Sequence, residues 1–134
     1  TLGLLIPPSI MLVLMADQVS VMYAGRIVES GSVDDLFDET GHPYTAGLLS
    51  SLPRLDGDVH TPLVPIAGQP PSMLAPPPGC SFHPRCRYAA EVAGDACRTQ
   101  VPDLLGTGPD HVVRCHLAQS RRAELFAADV KPLL

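Results

Sequence analysis

The sequence contains no tryptophan, only three tyrosines and three phenylalanines, and no excess of either charge beyond a net −5. Aromatics at 4% of 134 residues, together with many prolines and glycines, predict a loop-rich half whose core is thin. Acids and bases are interspersed, and without a basic stripe nucleic acid is excluded as a natural partner. A long apolar run is also missing. Residues 1–16 carry no charge, but a membrane span needs about 20 such residues, and Pro7-Pro8 would break the middle of this one. Nothing cationic precedes it, so it does not read as a signal peptide. The four cysteines include no Cys-x2–4-Cys knuckle of the kind that structural zinc sites use.

What is present fits one modest globular domain with a loop-rich half: 46% hydrophobic residues, 15 prolines and 11 glycines. The opening "TLGLLI" predicts a buried strand. After the proline break, "SIMLVLMA" predicts a short apolar helix near residues 9–16. A chain that opens mid-strand on Thr1 reads as the tail of something longer. In "QVSVMYAGRIVESG", Val19, Val21 and Tyr23 alternate with Ser20 and Met22, the period-2 pattern of a half-buried strand. Ala24-Gly25 then predicts a tight turn and Arg26–Glu29 the returning strand, a hairpin over 18–29 closed by Gly31. Ser32 can cap a helix over 32–39 whose first turn holds Asp34 and Asp35, acids favoured there by the helix dipole. A further helix, "YTAGLLSSL", follows His42-Pro43 and stops at Pro53. The expected core of this half is Val19, Val21, Ile27, Leu36 and Leu48.

These stretches, "ADQVSVMYAGRIVESGSVDDLF" followed by "HPYTAGLLSSLPRL", resemble the end of the ATP-binding subunit of oligopeptide and dipeptide ABC importers. "GQPPSMLAPPPGC" and the closing Cys115-His116-Leu117 continue the likeness, which runs from about Ala16 to Leu117. The resemblance implies an α/β fragment: the C-terminal end of a P-loop ABC ATPase domain, then a loop-rich, proline-rich, four-cysteine extension. It divides the chain at residues 1–52 (end of the nucleotide-binding domain), 53–79 (proline-rich strap), 80–117 (cysteine lobe) and 118–134 (tail helix). It also implies two membrane permeases, a second ATPase subunit and a peptide-binding protein as partners, with the subunit cytoplasmic and peripheral on the inner face of the cell membrane.

Three elements of that family are missing from these residues: the Gly-x4-Gly-Lys-Ser/Thr phosphate loop, the Leu-Ser-Gly-Gly-Gln signature and the apolar strand ending in Asp-Glu. Aligned backward without a gap from Ala16-Asp17, the family's switch histidine falls on Pro7, which offers neither a side-chain donor nor a backbone N–H. His42 and His60 lie on other elements and are no substitutes. No catalytic residue is therefore assigned, ATP and magnesium belong to the full-length family protein, and these 134 residues alone are expected not to hydrolyse ATP.

The cysteines are spaced Cys80-x5-Cys86-x10-Cys97-x17-Cys115. Two disulfides would suit a secreted domain and run against a reducing cytoplasm. Zinc is open, although a knuckle is lacking. Iron–sulfur clusters take four thiolates and tolerate irregular gaps. Free buried thiols, packing as small hydrophobes, are the bland alternative. The family resemblance implies a 4Fe-4S cluster on Cys80, Cys86, Cys97 and Cys115. Arg85, Arg87, Arg98 and Arg114 each adjoin a cysteine and are expected to favour thiolates. "AAEVAGDA" lengthens the gap before Cys97 and predicts a short helical bulge. His83, His111 and His116 are expected to serve as surface or hydrogen-bonding residues rather than ligands.

Residues 53–79 hold eight prolines in 27 positions, which favours extended backbone. Leu63, Val64, Ile66, Met73 and Leu74 would let this strap bury itself against the core. Residues 118–131 predict an amphipathic helix anchored by Leu125 and Phe126. Three function classes follow: a fragment of an importer ATP-binding subunit, a free-standing iron–sulfur or zinc module, and a regulatory lobe that never binds ATP.

Overall fold

A computed structural model describes residues 10–15, 18–53 and 64–133. Strand β1 spans Ile10–Met15, β2 Gln18–Tyr23 and β3 Arg26–Ser32, followed by α1 over Val33–Asp38 and α2 over Pro43–Ser50. The second half opens with single 3-10 turns at His83–Arg85, Ala89–Glu91 and Ala93–Asp95, then the one-turn helix α3 at Ala96–Thr99. Strands β4 (Leu104–Gly106) and β5 (Val112–Arg114) precede helix α4 (Gln119–Leu125), which continues as a wider turn over Phe126–Val130. The strands form one antiparallel sheet in the order β1-β2-β3-β5-β4.

The hairpin forms where the alternation places it. Ala24 and Gly25 both take positive φ, 49° and 77°, the left-handed pair that matches the twist of the flanking strands. The partner strand runs to Ser32, so Gly31 lies within it rather than closing it. One reading of this region is overturned. The helix expected near 9–16 is a strand: Ile10–Met15 pairs residue for residue with Gln18–Tyr23. A short apolar run is compatible with helix or buried strand, and here a ready sheet edge decides. The strand expected over "TLGLLI" lies outside the described residues, as do Pro7, His60 and Leu63.

Of the expected core, Val19, Val21 and Leu36 are buried and Leu48 packs partly buried against them, whereas Ile27 is 37% exposed. A bulge is the reason. Val21 pairs with Glu29 but Met22 pairs with Ile27, which leaves Val28 as an extra residue. The insertion turns Ile27 outward and brings both Val28 and Glu29 inside. Simple alternation places Ile27 and Glu29 on one face and cannot anticipate this.

Ser32 caps α1 as its side chain suggests: its Oγ accepts from Asp35 N at 3.1 Å, and Asp35 Oδ2 accepts from Ser32 N at 3.2 Å. Such a reciprocal cap contributes about 1 kcal/mol. Helix α2 starts differently, with Pro43 at its first turn and the His42 ring as cap, Nδ1 accepting from Tyr44 N at 3.0 Å.

Among the described residues the strap docks over residues 64–67. Ile66 packs against the core beside Gly47, and Ser51 Oγ donates to Val64 O at 2.8 Å. Val64, Met73 and Leu74 are exposed, Leu74 at 99%, so these three expected anchors do not bury. The tail does anchor where expected: Leu125 and Phe126 are buried, and Phe126 packs with Ala46 and Val130. Among the described residues no helix is long and apolar enough to cross a membrane.

Candidate functional site

The segment Gly79–Cys86 is held against the hairpin by Phe82, which is 4% exposed. Its ring meets Tyr23 edge-on at 5.2 Å, Tyr44 at 5.4 Å and His42 at 5.8 Å between centroids, and Tyr23 meets Tyr44 at 4.6 Å. Half of the chain's six tyrosines and phenylalanines thus meet at one junction between the hairpin, α2 and the cysteine segment. Burying a phenylalanine of this kind is worth about 2 kcal/mol, and edge contacts between rings add to it.

Around that junction the four cysteines gather. Cys80 N donates to Cys97 O at 2.8 Å, which joins the first and third cysteine segments. Cys80 and Cys86 pack partly buried beside Phe82, Cys97 is buried, and Cys115 follows β5. None is in a disulfide. Burial pushes the Cys86 thiol up to about 12, and Cys115, Cys80 and Cys97 each push it further in the same direction. Burial raises Cys97 to about 11, with Cys80 and Cys115 adding to the effect. Cys80 and Cys115 are raised by burial as well. Cysteines that raise one another in this way lie near one another. Among the described residues, however, no three His, Cys, Asp or Glu side chains close to metal-ligating distance.

The arginines beside the cysteines do not serve the thiols. Arg85 donates to Ala67 O at 3.0 Å and Ile66 O at 3.3 Å, which ties down the strap, and it lies over the Tyr23 ring. Arg87 pairs with Asp129 at 3.0 Å, Arg98 lies 3.5 Å from Asp95, and Arg114 donates to Ile27 O at 2.9 Å and Pro102 O at 3.0 Å. Adjacency in sequence does not decide the partner: these guanidinium groups bind carbonyls, acids and a tyrosine ring. The cation that does lower Cys115 is Arg122, from α4. It lies seven positions beyond Cys115, too far along the chain to be found by inspecting neighbours.

The histidines of the lobe make hydrogen bonds, as expected. His83 Nδ1 lies 2.8 Å from Cys80 O and His116 Nε2 lies 2.8 Å from Gln100 O. His111 is buried, with Nε2 2.7 Å from Glu29 Oε1. Glu29 is fully buried and accepts also from Gly41 N at 2.6 Å and His42 N at 3.0 Å. This carboxylate joins β3, the turn before α2 and the start of β5. Sequence reasoning missed it, because its role depends on the bulge and on a partner 82 positions away. Burial holds His42 down to about 4, so its ring stays neutral and Nδ1 remains free to cap α2. The bulge "AAEVAGDA" is the pair of 3-10 turns leading into α3.

Comparison with known proteins places this arrangement. A family model described as the oligopeptide/dipeptide transporter C-terminal region matches residues 28–92. The chain is 50% identical over 100 residues to the oligopeptide transport ATP-binding protein OppD of Mycobacterium tuberculosis, covering 75% of this chain and 16% of that protein. It is 47% identical over 109 residues to the oligopeptide transport ATP-binding protein AppD of Bacillus subtilis, covering 81% of this chain and 32% of that protein. To the dipeptide transport ATP-binding protein DppD of Caldanaerobacter subterraneus it is 41% identical over 108 residues, 81% of this chain and 32% of the relative. The chain spans about a third of the length of these relatives or less. Over most of its length, therefore, the chain belongs with the C-terminal part of the ATP-binding proteins of oligopeptide and dipeptide ABC transporters.

Proposed function

We propose that these residues are the end of the nucleotide-binding domain and the cysteine-bearing extension of a peptide importer's ATP-binding subunit. In the complete protein that subunit energises uptake of di- or oligopeptides at the inner face of the membrane, with permeases, a second ATPase subunit and a peptide-binding protein. The observation that carries this reading is the docking of the extension on the hairpin: Phe82 in the aromatic junction and β5 on β3 make them one folded unit. A separable module would bury its own core instead.

The four cysteines are read as the holders of an iron–sulfur cluster of the four-iron type. The donor set supports this reading in kind: the four thiols are buried or partly buried, none is spent in a disulfide, and Cys80, Cys97 and Cys115 each act on Cys86. Metal binding removes the thiol protons that burial otherwise retains. Cys80, Cys86, Cys97 and Cys115 would close on the cluster, Arg122 would balance part of its negative charge, and Phe82 would shield it from the hairpin side. The cluster would supply folding free energy to a lobe with few large apolar side chains. Zinc on the same thiols is the second reading, favoured by nothing in the spacing.

ATP turnover tests the functional reading. The full-length subunit is expected to hydrolyse ATP, and the 134-residue chain is expected to show no turnover, because its sequence has no phosphate loop or Asp-Glu strand. Saturable turnover by the chain alone, lost on changing a residue within it, would contradict the proposal.

A further inference from the structure

We propose that Glu29 and His111 form a proton-controlled latch that fastens the cysteine-bearing extension to the terminal hairpin, closed when His111 is protonated and loosened when it is neutral. The proposal does not depend on the identity of any metal.

Its basis is the position of one carboxylate. Glu29 has no exposed surface and sits at the bulge of β3, where a buried acid is costly unless compensated. Oε1 accepts from Gly41 N at 2.6 Å and lies 2.7 Å from His111 Nε2, and Oε2 accepts from His42 N at 3.0 Å. His111 belongs to the extension. Its own carbonyl accepts from Thr107 N at 2.8 Å, which closes the β4–β5 ribbon, and the next residues, Val112 and Val113, pair with Ser30 and Glu29. The histidine therefore adds a side-chain fastening to the strand pairing that joins the ribbon to the hairpin.

The charges around His111 set the direction of the response. The hydrogen bond to Glu29 comes first among them and raises its pKa. The charges of Glu29 and of Asp35 on α1 act the same way, while burial and Arg122 on α4 oppose. The cavity beside the pair, about 340 Å³, also carries Asp38, Glu39 and Lys131 on its walls. The net shift is upward. A histidine raised in the folded state contributes stability that is fully present below its unfolded value, about 6.5, and lost as pH rises through the folded one.

Neutral His111 can still donate one hydrogen bond, so the latch loosens rather than opens. Arg122 then remains as the compensating cation. Its guanidinium already donates to Gly41 O at 3.2 Å, and its Nε has no partner among the described residues. His42 does not interfere, because it stays uncharged throughout this range.

The test is a titration of the full chain from about pH 5 to about pH 9, following the His111 ring resonances and amide exchange of Val112–Arg114 corrected for intrinsic rates. His111 is expected to titrate above the other histidines. Glu29→Gln should lower its midpoint by about one unit, a roughly tenfold change in proton affinity. Protection of the β5 amides should fall by about tenfold across the window in the parent chain and stay flat in Glu29→Gln. His111→Gln provides the same comparison if Glu29→Gln does not fold, since glutamine can donate to Glu29 without titrating. A His111 midpoint at or below that of an exposed histidine would overturn the latch. So would β5 protection that follows the same pH course in the parent and in either variant.

Discussion

Gly79→Ala is expected to destabilise the folded chain by about 3 kcal/mol or more, because two independent costs coincide at that position. Gly79 has φ of +70°, a conformation that carries a steric penalty of about 1 kcal/mol or more for any residue with a Cβ. A Cβ there would also lie 2.5 Å from Cys97 O and 2.7 Å from the Arg98 carbonyl carbon, both backbone atoms that no rotamer change can move. This close approach is what lets Cys80 N reach Cys97 O, so relief of the clash must separate two of the four cysteine segments. Gly94 provides the internal control. It has a similar φ of +67°, but nothing lies within 4 Å of its added Cβ. Gly94→Ala should therefore cost only the conformational part, about 1 kcal/mol. Urea unfolding of the two variants separates the effects, and equal losses would show that the contact at Cys97 carries no weight.

Glu29→Ala is expected to cost about 3–5 kcal/mol, the range for removing one partner from a buried charged pair. The loss leaves Gly41 N–H, His42 N–H and the His111 ring without their acceptor, and removes an anion that acts on Arg122. An unpaired buried donor costs about 1–3 kcal/mol, so the loss should exceed that of any single hydrogen bond. Because the carboxylate joins the hairpin, the α2 turn and β5, the same variant should expose the 104–114 ribbon to proteolysis ahead of global unfolding. A change below about 1 kcal/mol in urea unfolding would mean that water replaces the carboxylate freely and that the hub is not a structural junction.

The parts of this fold that were legible in the sequence are those governed by neighbours along the chain. The Ala24-Gly25 turn, the Ser32 cap and the Pro43 start of α2 each depend on residues within a few positions, and each forms where its chemistry indicates. What escaped depends on the sheet. Residues 10–15 form a strand because β2 offers them an edge, although their composition also suits a helix. Ile27 is turned out and Glu29 is turned in by a bulge that leaves no signature in "RIVE". The strands β4 and β5, three residues each, are too short for their alternation to register and exist by pairing with β3.

The candidate site shows the same division. The number and order of Cys80, Cys86, Cys97 and Cys115 are read directly from the sequence. The arginines beside them could be named but not oriented, and they prove to bind carbonyls and acids elsewhere. Arg122, which acts on Cys115, and Glu29, which fixes the ribbon after Cys97, required three dimensions.

Elemental analysis and visible absorption of the anaerobically purified chain, with each cysteine changed to serine in turn, test most directly whether the four thiols act as one site. Iron and sulfide in matching amounts, about four of each per chain, should accompany a brown colour, and any one of the four substitutions should bleach it. Colourless, metal-free protein that folds as well with serine at all four positions would contradict the site, and stoichiometric zinc without a visible band would contradict the cluster.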